Sequence, residues 1–158
     1  MTAADTPSSD RAADLARRIA AFPRWHYDFD LAGHSTATPG VTRARRHAQR
    51  LPFLLDPLAT ACGGSLAGRR VLDLGCKFGF FCFEALKRGA KRAVGVDVDA
   101  YSLERARRLA DCLGLPATFE QYDIEQEPIR ERFDYVLCLN LLHHLRNLSE
   151  LYRWLQNP

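Results

Sequence analysis

Three carboxylates stand at the ends of three apolar segments in the second half of the chain. Asp73 ends the segment VLD, Asp97 ends AVGVD, and Asp123 ends ATFEQYD. If these segments are neighbouring parallel strands, their carboxyl ends meet at the edge of the sheet where ligands bind. A row of acids at that edge could hold an ammonium group, the hydroxyls of a ribose and the exocyclic amine of adenine.

The loop after Asp73 reads GCKFG and does not suit a phosphate. A dinucleotide fingerprint counted from Gly75 requires glycines at positions 77 and 80, where this chain has Lys77 and Phe80. The P-loop pattern is also absent. Because such glycines bring the backbone close to phosphates, a ligand without phosphate fits this loop better. S-adenosylmethionine carries an ammonium group, a ribose and an adenine but no phosphate, whereas an NAD-dependent oxidoreductase is disfavoured.

The surrounding sequence alternates between strand and helix patterns. Helices are predicted between the strands, with Asp99 or Ser102 capping the second and Gly114 ending it, and Ser149 capping the last. Such alternation predicts an α/β fold, a Rossmann-like doubly wound sheet that is mostly parallel, with strand order 3-2-1-4 and later strands apparently missing. We expect the chain to be short at its C-terminus. The strands are predicted in residues 70–74, 93–98, 117–123 and 132–142.

The N-terminal third has a different character. Residues 1–9 are predicted to be a disordered tail, residues 10–61 a helical lid or substrate segment, and residues 62–158 the S-adenosylmethionine-binding domain. Aromatic and turn residues in 24–40 are typical of a binding loop. The arginines of RARRHAQR either line a solvated helix face or contact an anionic substrate such as RNA.

Composition excludes several other classes of protein. The chain is 47% hydrophobic and 26% charged, and its net charge of +3 does not by itself indicate nucleic-acid binding. No apolar run is long enough to span a membrane, and no signal peptide is recognisable, which predicts a cytoplasmic protein. The five cysteines form no C-x-x-C pair, so we expect free thiols and no metal site.

These motifs carry a resemblance to a known family. Residues 70–145 resemble the class I S-adenosylmethionine-dependent methyltransferases. Four stretches are similar to motifs of that family: VLDLGCKFG, VGVDVD, FEQYDIE and FDYVLCLNLLHHL. Upstream, WHYDFDL followed by TPG resembles the signature W-Y-H-x-x-x-L … T-P-G of bacterial tRNA wobble-uridine (5-oxyacetyl) methyltransferase-like proteins, with His26 and Tyr27 transposed.

The resemblance implies roles for ten cofactor-binding residues. Asp73 and the backbone around Gly75 would lie beside the methionyl part, Asp97 would hold the ribose, and Asn140 would face the methyl group and the substrate. Lys77 would point to solvent or reach the cofactor carboxylate, and it would be strained if the loop requires a positive φ. The full set is Asp73, Gly75, Cys76, Lys77 and Gly79, with Asp97 and Val98, Asp123 and Ile124 (which would cover the adenine ring), and Asn140.

A methyl transfer needs a general base only if the acceptor loses a proton. His144 is the candidate, with His26 or Tyr27 from the lid as alternatives, and adjacent His143 and His144 are expected to face different sides. The acceptor would be a small metabolite or an RNA nucleobase, including that of tRNA. Two alternatives remain open: a non-catalytic S-adenosylmethionine-binding module, and carboxymethyl-type transfer to a wobble uridine. An open sheet flank would allow self-association.

Overall fold

The computed structural model describes residues 14, 17–18, 21, 29–31, 34–36 and 49–156. Residues 1–51 and 52–158 form two compact units. In the first unit, β1 (Asp30–Leu31) pairs antiparallel with β2 (His34–Ser35), and the Thr36 hydroxyl accepts a 2.8 Å hydrogen bond from the Phe29 N–H. The predicted lid residues His26 and Tyr27 lie outside the described residues, so their roles stay predictions.

The second unit alternates helices and strands. Pro52 stands in the first turn of the opening helix, where its missing N–H costs no hydrogen bond, and Pro57 lies within the helix. Among the described residues, no helix is long and apolar enough to cross a membrane. The elements in chain order are α1 (Leu51–Ala61), β3 (Arg70–Leu74), α2 (Phe80–Lys87), β4 (Arg92–Asp97), α3 (Ala100–Leu113), β5 (Thr118–Gln121), β6 (Tyr135–Cys138), a 3-10 turn (Leu142–His144) and α4 (Leu148–Gln156).

The four later strands form one parallel sheet in the order β5-β4-β3-β6. This confirms the predicted Rossmann-like order 3-2-1-4. The central strands β3 and β4 are buried along most of their length, as expected for strands covered on both faces. The strands β5 and β6 are shorter than the apolar segments that predicted them, and the carboxyl ends of all four strands lie at one edge of the sheet.

Side-chain caps define two of the helix starts. Asp99 caps α3, because its carboxylate accepts from the Tyr101 N–H at 3.1 Å and from the Ser102 hydroxyl at 2.6 Å. Gly114 ends that helix in the left-handed conformation with φ 64°, as predicted. The predicted cap of α4 was wrong: Asn147 Oδ1 accepts from the Glu150 N–H at 3.4 Å, and Ser149 only donates its hydroxyl to the same oxygen.

Candidate functional site

The loop between β3 and α2 folds across the end of the neighbouring strand. The N–H groups of Gly75 and Cys76 both donate to the Val96 carbonyl, at 2.9 and 3.0 Å. The Gly79 N–H then donates to the Cys76 carbonyl at 2.8 Å, which closes a tight turn before the helix. Two backbone donors on one carbonyl of β4 therefore place the loop directly beside the end of that strand, where Asp97 stands.

Two glycines leave room for this loop where no side chain would fit. A Cβ on Gly79, which has φ 75°, would lie 2.4 Å from Cζ of Phe119. A Cβ on Gly95 in β4 would lie 2.7 Å from Sγ of Cys76 and 2.8 Å from Cδ1 of Phe119. Cys76 and Phe119 thus meet above Gly95. Neither Gly95 nor Phe119 was predicted to shape the site, although a glycine inside a buried strand is itself a signal of close packing.

Asp97 ties the loop to the start of α3. Its Oδ2 accepts from the Lys77 N–H and its Oδ1 accepts from the Asp99 N–H, both at 2.9 Å. A carboxylate has about four acceptor positions, so two of them remain for hydroxyl donors. The adjacent Val98 is 60% exposed and offers apolar surface beside that carboxylate. These features suit a ligand that carries a diol next to a flat apolar ring.

Asp123 lies just beyond β5 in a turn of its own. Its Oδ1 accepts from the Glu125 N–H at 3.0 Å and its Oδ2 accepts from the Gln126 side-chain amide at 2.7 Å. Ile124 is only 7% exposed and packs in the core with Leu72 and Val96. Its expected place over the adenine ring stays a prediction.

Asp73 is the most deeply buried acid of the site. It is 2% exposed, and its Oδ2 has no hydrogen-bond partner among the described residues. Burial, with a further contribution from the charge of Asp97, raises the pKa of Asp73 to about 8. An orphaned buried oxygen is expensive unless a ligand supplies a donor or a positive charge. The unsatisfied Asp73 oxygen is therefore the feature of the site that fits a cationic cofactor.

The neighbouring thiols have no catalytic character. Burial raises the pKa of Cys76 and of Cys82 well above the usual thiol value, and the charge of Asp73 acts in the same direction. All five cysteines are free, as predicted. Cys76 therefore acts through its packing over Gly95 and through its backbone.

The segment after β6 lies near the same loop. Leu141 stands over Gly75, because a Cβ on that glycine would lie 3.2 Å from Cδ1 of Leu141. Asn140 has φ 56°, a left-handed conformation that asparagine tolerates better than most residues. His143 and His144 are both exposed, and their ring centroids lie only 4.0 Å apart. The expectation that the two rings face different sides is wrong, because the tight 3-10 turn brings the rings together, with their planes tilted by 42°.

Lys77 occupies the strained position of the loop. Its φ of 50° is a left-handed conformation that costs a side-chain-bearing residue roughly 1–2 kcal/mol. Its backbone N–H is held by Asp97, so the conformation is imposed by the loop. The hydrogen bond from Ser102 is the main cause that lowers the pKa of Asp99, and the positive charge of Lys77 also contributes.

We therefore expect Lys77→Gly to raise the free energy of unfolding by up to about 1 kcal/mol, since glycine adopts this φ without steric strain. We also expect tighter cofactor binding, because a loop without this strain adopts the conformation described here in a larger fraction of the free molecules. Urea denaturation and calorimetric titration with S-adenosylmethionine measure both effects. Lys77→Ala is the matched control, because it removes the ammonium but keeps a Cβ in the left-handed region. An alanine variant as stable as the glycine variant would show that strain is not the cause.

Comparisons with known proteins agree on one family. A family model described as "Methyltransferase domain" matches residues 71–157. The ribosomal protein L11 methyltransferase of Pseudomonas paraeruginosa is 46% identical over 130 residues, which cover 81% of this chain and 42% of the relative. The ubiquinone biosynthesis O-methyltransferase of Alkalilimnicola ehrlichii is 35% identical over 96 residues, 60% of this chain and 38% of that one.

A solved structure supports the same similarity. The S-adenosylmethionine-dependent methyltransferase from Mesorhizobium loti superimposes with a TM-score of 0.55 at 30% identity, over 63% of this chain and 46% of that one. The chain thus spans less than half of the length of each of these proteins.

Proposed function

The chain belongs to the methyltransferase domain family, and from that premise we propose that it transfers a methyl group from S-adenosylmethionine. The observation that carries the proposal is the row of acids and the glycine loop at one edge of the sheet. Asp73 lies in β3, Asp97 ends β4 and Asp123 follows β5, and these three strands are adjacent. The row matches a ligand that has an ammonium group, a ribose and an adenine but no phosphate.

The chain's own residues would bind and orient the cofactor. Asp97 would accept the ribose hydroxyls with its remaining lone pairs, and Val98 would pack against the adenine. Asp123 would accept from the adenine amine, while Asp73 would lie beside the methionyl end. The bound cofactor supplies an activated methyl group on a sulfonium. Alignment of acceptor and methyl in a dry pocket is then the main task of the protein, since proximity and orientation account for much of such a rate enhancement.

An RNA nucleobase or a small metabolite is the acceptor that we propose first. The similarity of WHYDFDL … TPG to the tRNA wobble-uridine enzymes supports an RNA base, and the arginines of RARRHAQR suit an RNA backbone. Transfer of a carboxymethyl-type group to the wobble uridine is a variant of this proposal, which additionally requires a basic pocket for the extra carboxylate.

A ribosomal protein is the second candidate acceptor. It is supported by the 46% identity to the ribosomal protein L11 methyltransferase of Pseudomonas paraeruginosa, which extends over 81% of this chain. Side-chain amines are common methyl acceptors in proteins, and they must lose a proton before or during transfer, so this candidate also needs a base.

A transfer assay with methyl-labelled S-adenosylmethionine tests the proposal. Cell extract is separated into RNA, protein and small-molecule fractions, and each is incubated with the purified chain. Label in the RNA or small-molecule fraction supports the first candidate, and label in the protein fraction supports the second. If calorimetry shows that S-adenosylmethionine binds but no fraction is labelled, the chain is a non-catalytic binding module.

Replacing Asp97 tests the ribose assignment. We expect Asp97→Ala to weaken S-adenosylmethionine binding by about 1–3 kcal/mol, roughly five- to 150-fold, because hydrogen bonds to a charged acceptor are lost. Calorimetric titration measures the affinity. Asp99→Ala is the matched control: it removes an acid from the same strand end and a helix cap, and it should lower stability by about 1 kcal/mol without a comparable loss of affinity. Equal losses of affinity in both variants would argue for general damage to this strand end.

A further inference from the structure

The buried carboxyl of Asp73 lacks the groups that normally stabilise a charge inside a protein. Its side chain is 2% exposed, and its Oδ2 has no hydrogen-bond partner among the described residues. Within the same described part of the chain, no lysine, arginine or histidine forms a salt bridge with it. A carboxylate placed there would be both desolvated and unpaired, which is costly.

The neighbours of Asp73 also disfavour its ionised form. The acid Asp97 on β4 contributes to raising the pKa of Asp73 to about 8, after burial itself. The thiols around it are neutral, because burial raises the pKa of each, and they offer no countercharge. Among the described residues, no cation contributes to the pKa shift of Asp73; Arg107 contributes only to that of Cys76, where it opposes the larger effect of burial. The titratable groups that interact with Asp73 are Cys76 in the loop, Cys82 on α2, Asp97 on β4 and Cys138 on β6.

We propose that Asp73 holds a proton while the cofactor is absent and ionises when it binds, so that binding of S-adenosylmethionine releases one proton to solvent. The inference rests on the proposed function, because it needs a cationic ligand at this edge of the sheet. The ligand brings an ammonium and a sulfonium, and a positive charge within about 4–6 Å favours the ionised form of a carboxyl. The proton leaves the Asp73 oxygen for the buffer, and no other bond changes.

This coupling makes the affinity depend on pH. Where the free protein is protonated and the complex is ionised, the binding constant rises tenfold for each pH unit. Above the pKa of Asp73 in the free protein, no proton remains to be released and the dependence ends. The range from pH 6 to pH 7 isolates the ionisation of Asp73. The α-amino group of the cofactor, with an ordinary pKa of about 7.7–8.0, stays mostly protonated in that range.

Calorimetric titration with S-adenosylmethionine tests the inference directly. At pH 6.5, in two buffers of different ionisation enthalpy, we expect the wild-type chain to release about one proton per cofactor bound. The Asp73→Asn variant, which mimics the protonated acid in shape, should release none from this position. From pH 6 to pH 7 the wild-type affinity should rise about tenfold.

The outcomes separate this inference from the proposed function. Binding by the wild-type chain with no proton release, or with less than a twofold change of affinity across that pH unit, overturns the inference alone. Proton release that is as large in Asp73→Asn as in the wild type also overturns it, because another group must then be the source. A folded wild-type chain that binds no S-adenosylmethionine overturns the proposed function, and the inference with it. If Asp73→Asn does not bind the cofactor, the proton release of the wild type and the pH dependence of its affinity still test the inference.

Discussion

Asp73→Asn should make the cofactor-free protein more stable at neutral and alkaline pH. The folded pKa of about 8 lies above the ordinary value of 3.8, so between these values the unfolded chain has lost a proton that the folded chain retains. The wild-type free energy of unfolding therefore falls as pH rises, by about 1.4 kcal/mol per pH unit from this residue. Asparagine has no such proton. From pH 5.5 to pH 7.5, the advantage of Asp73→Asn should grow by about 3 kcal/mol.

Urea denaturation of both proteins at the two pH values measures this difference. Asp134→Asn is the control with the opposite shift, because the hydrogen bond from the Arg70 N–H lowers the pKa of Asp134. Its contribution to stability is lost only as pH falls below the ordinary carboxyl range, so its effect should be the same at pH 5.5 and 7.5. An Asp73→Asn effect that is also equal at both values would mean that Asp73 is ionised in the folded chain.

Loss of His144 should reduce methyl transfer strongly if the acceptor must lose a proton. General bases typically contribute factors of about 10²–10⁴, so His144→Ala should lower the turnover rate by at least about a hundredfold. The measurement is the initial rate of label transfer to whichever fraction accepts the methyl group. The affinity for S-adenosylmethionine, measured by calorimetry, should stay unchanged, because no cofactor contact is assigned to this ring.

The neighbouring histidine provides the matched control. His143 and His144 lie in the same 3-10 turn with their ring centroids 4.0 Å apart, so either alanine variant removes the same contact between the rings. A base at His144 predicts that His143→Ala retains most of the activity. Comparable losses in both variants would point to the turn itself, and unchanged activity in both would leave His26 or Tyr27 as the base.

The fold was predictable because its signals are local. A buried strand such as β4 contains a continuous apolar run, AVGV at 93–96. Asp99 and Gly114 mark the start and the end of a helix by their side-chain chemistry and backbone freedom. The alternation of strands and helices indicates right-handed crossovers and a parallel sheet, and the order 3-2-1-4 is the one expected of a Rossmann-like fold.

The errors in the prediction arise where contacts between distant residues decide. Ser149 and Asn147 are both good caps in isolation, and only the path of the chain into α4 selects Asn147. The deep burial of Ile124, which follows a strand-end acid, likewise depends on packing against Leu72 and Val96, far away in sequence. The left-handed φ of Lys77 was a conditional expectation, since a lysine gives no local sign of that conformation.

The space above Gly95 has a consequence for engineering this loop. Cys76 from the loop and Phe119 from β5 meet over that glycine, and Phe119 also occupies the place where Gly79 would carry a Cβ. The shape of GCKFG is therefore encoded largely in strands β4 and β5, outside the loop itself. Grafting the five residues into another parallel sheet would transfer their sequence but not their conformation. A functional transplant would have to carry Gly95 and Phe119 as well.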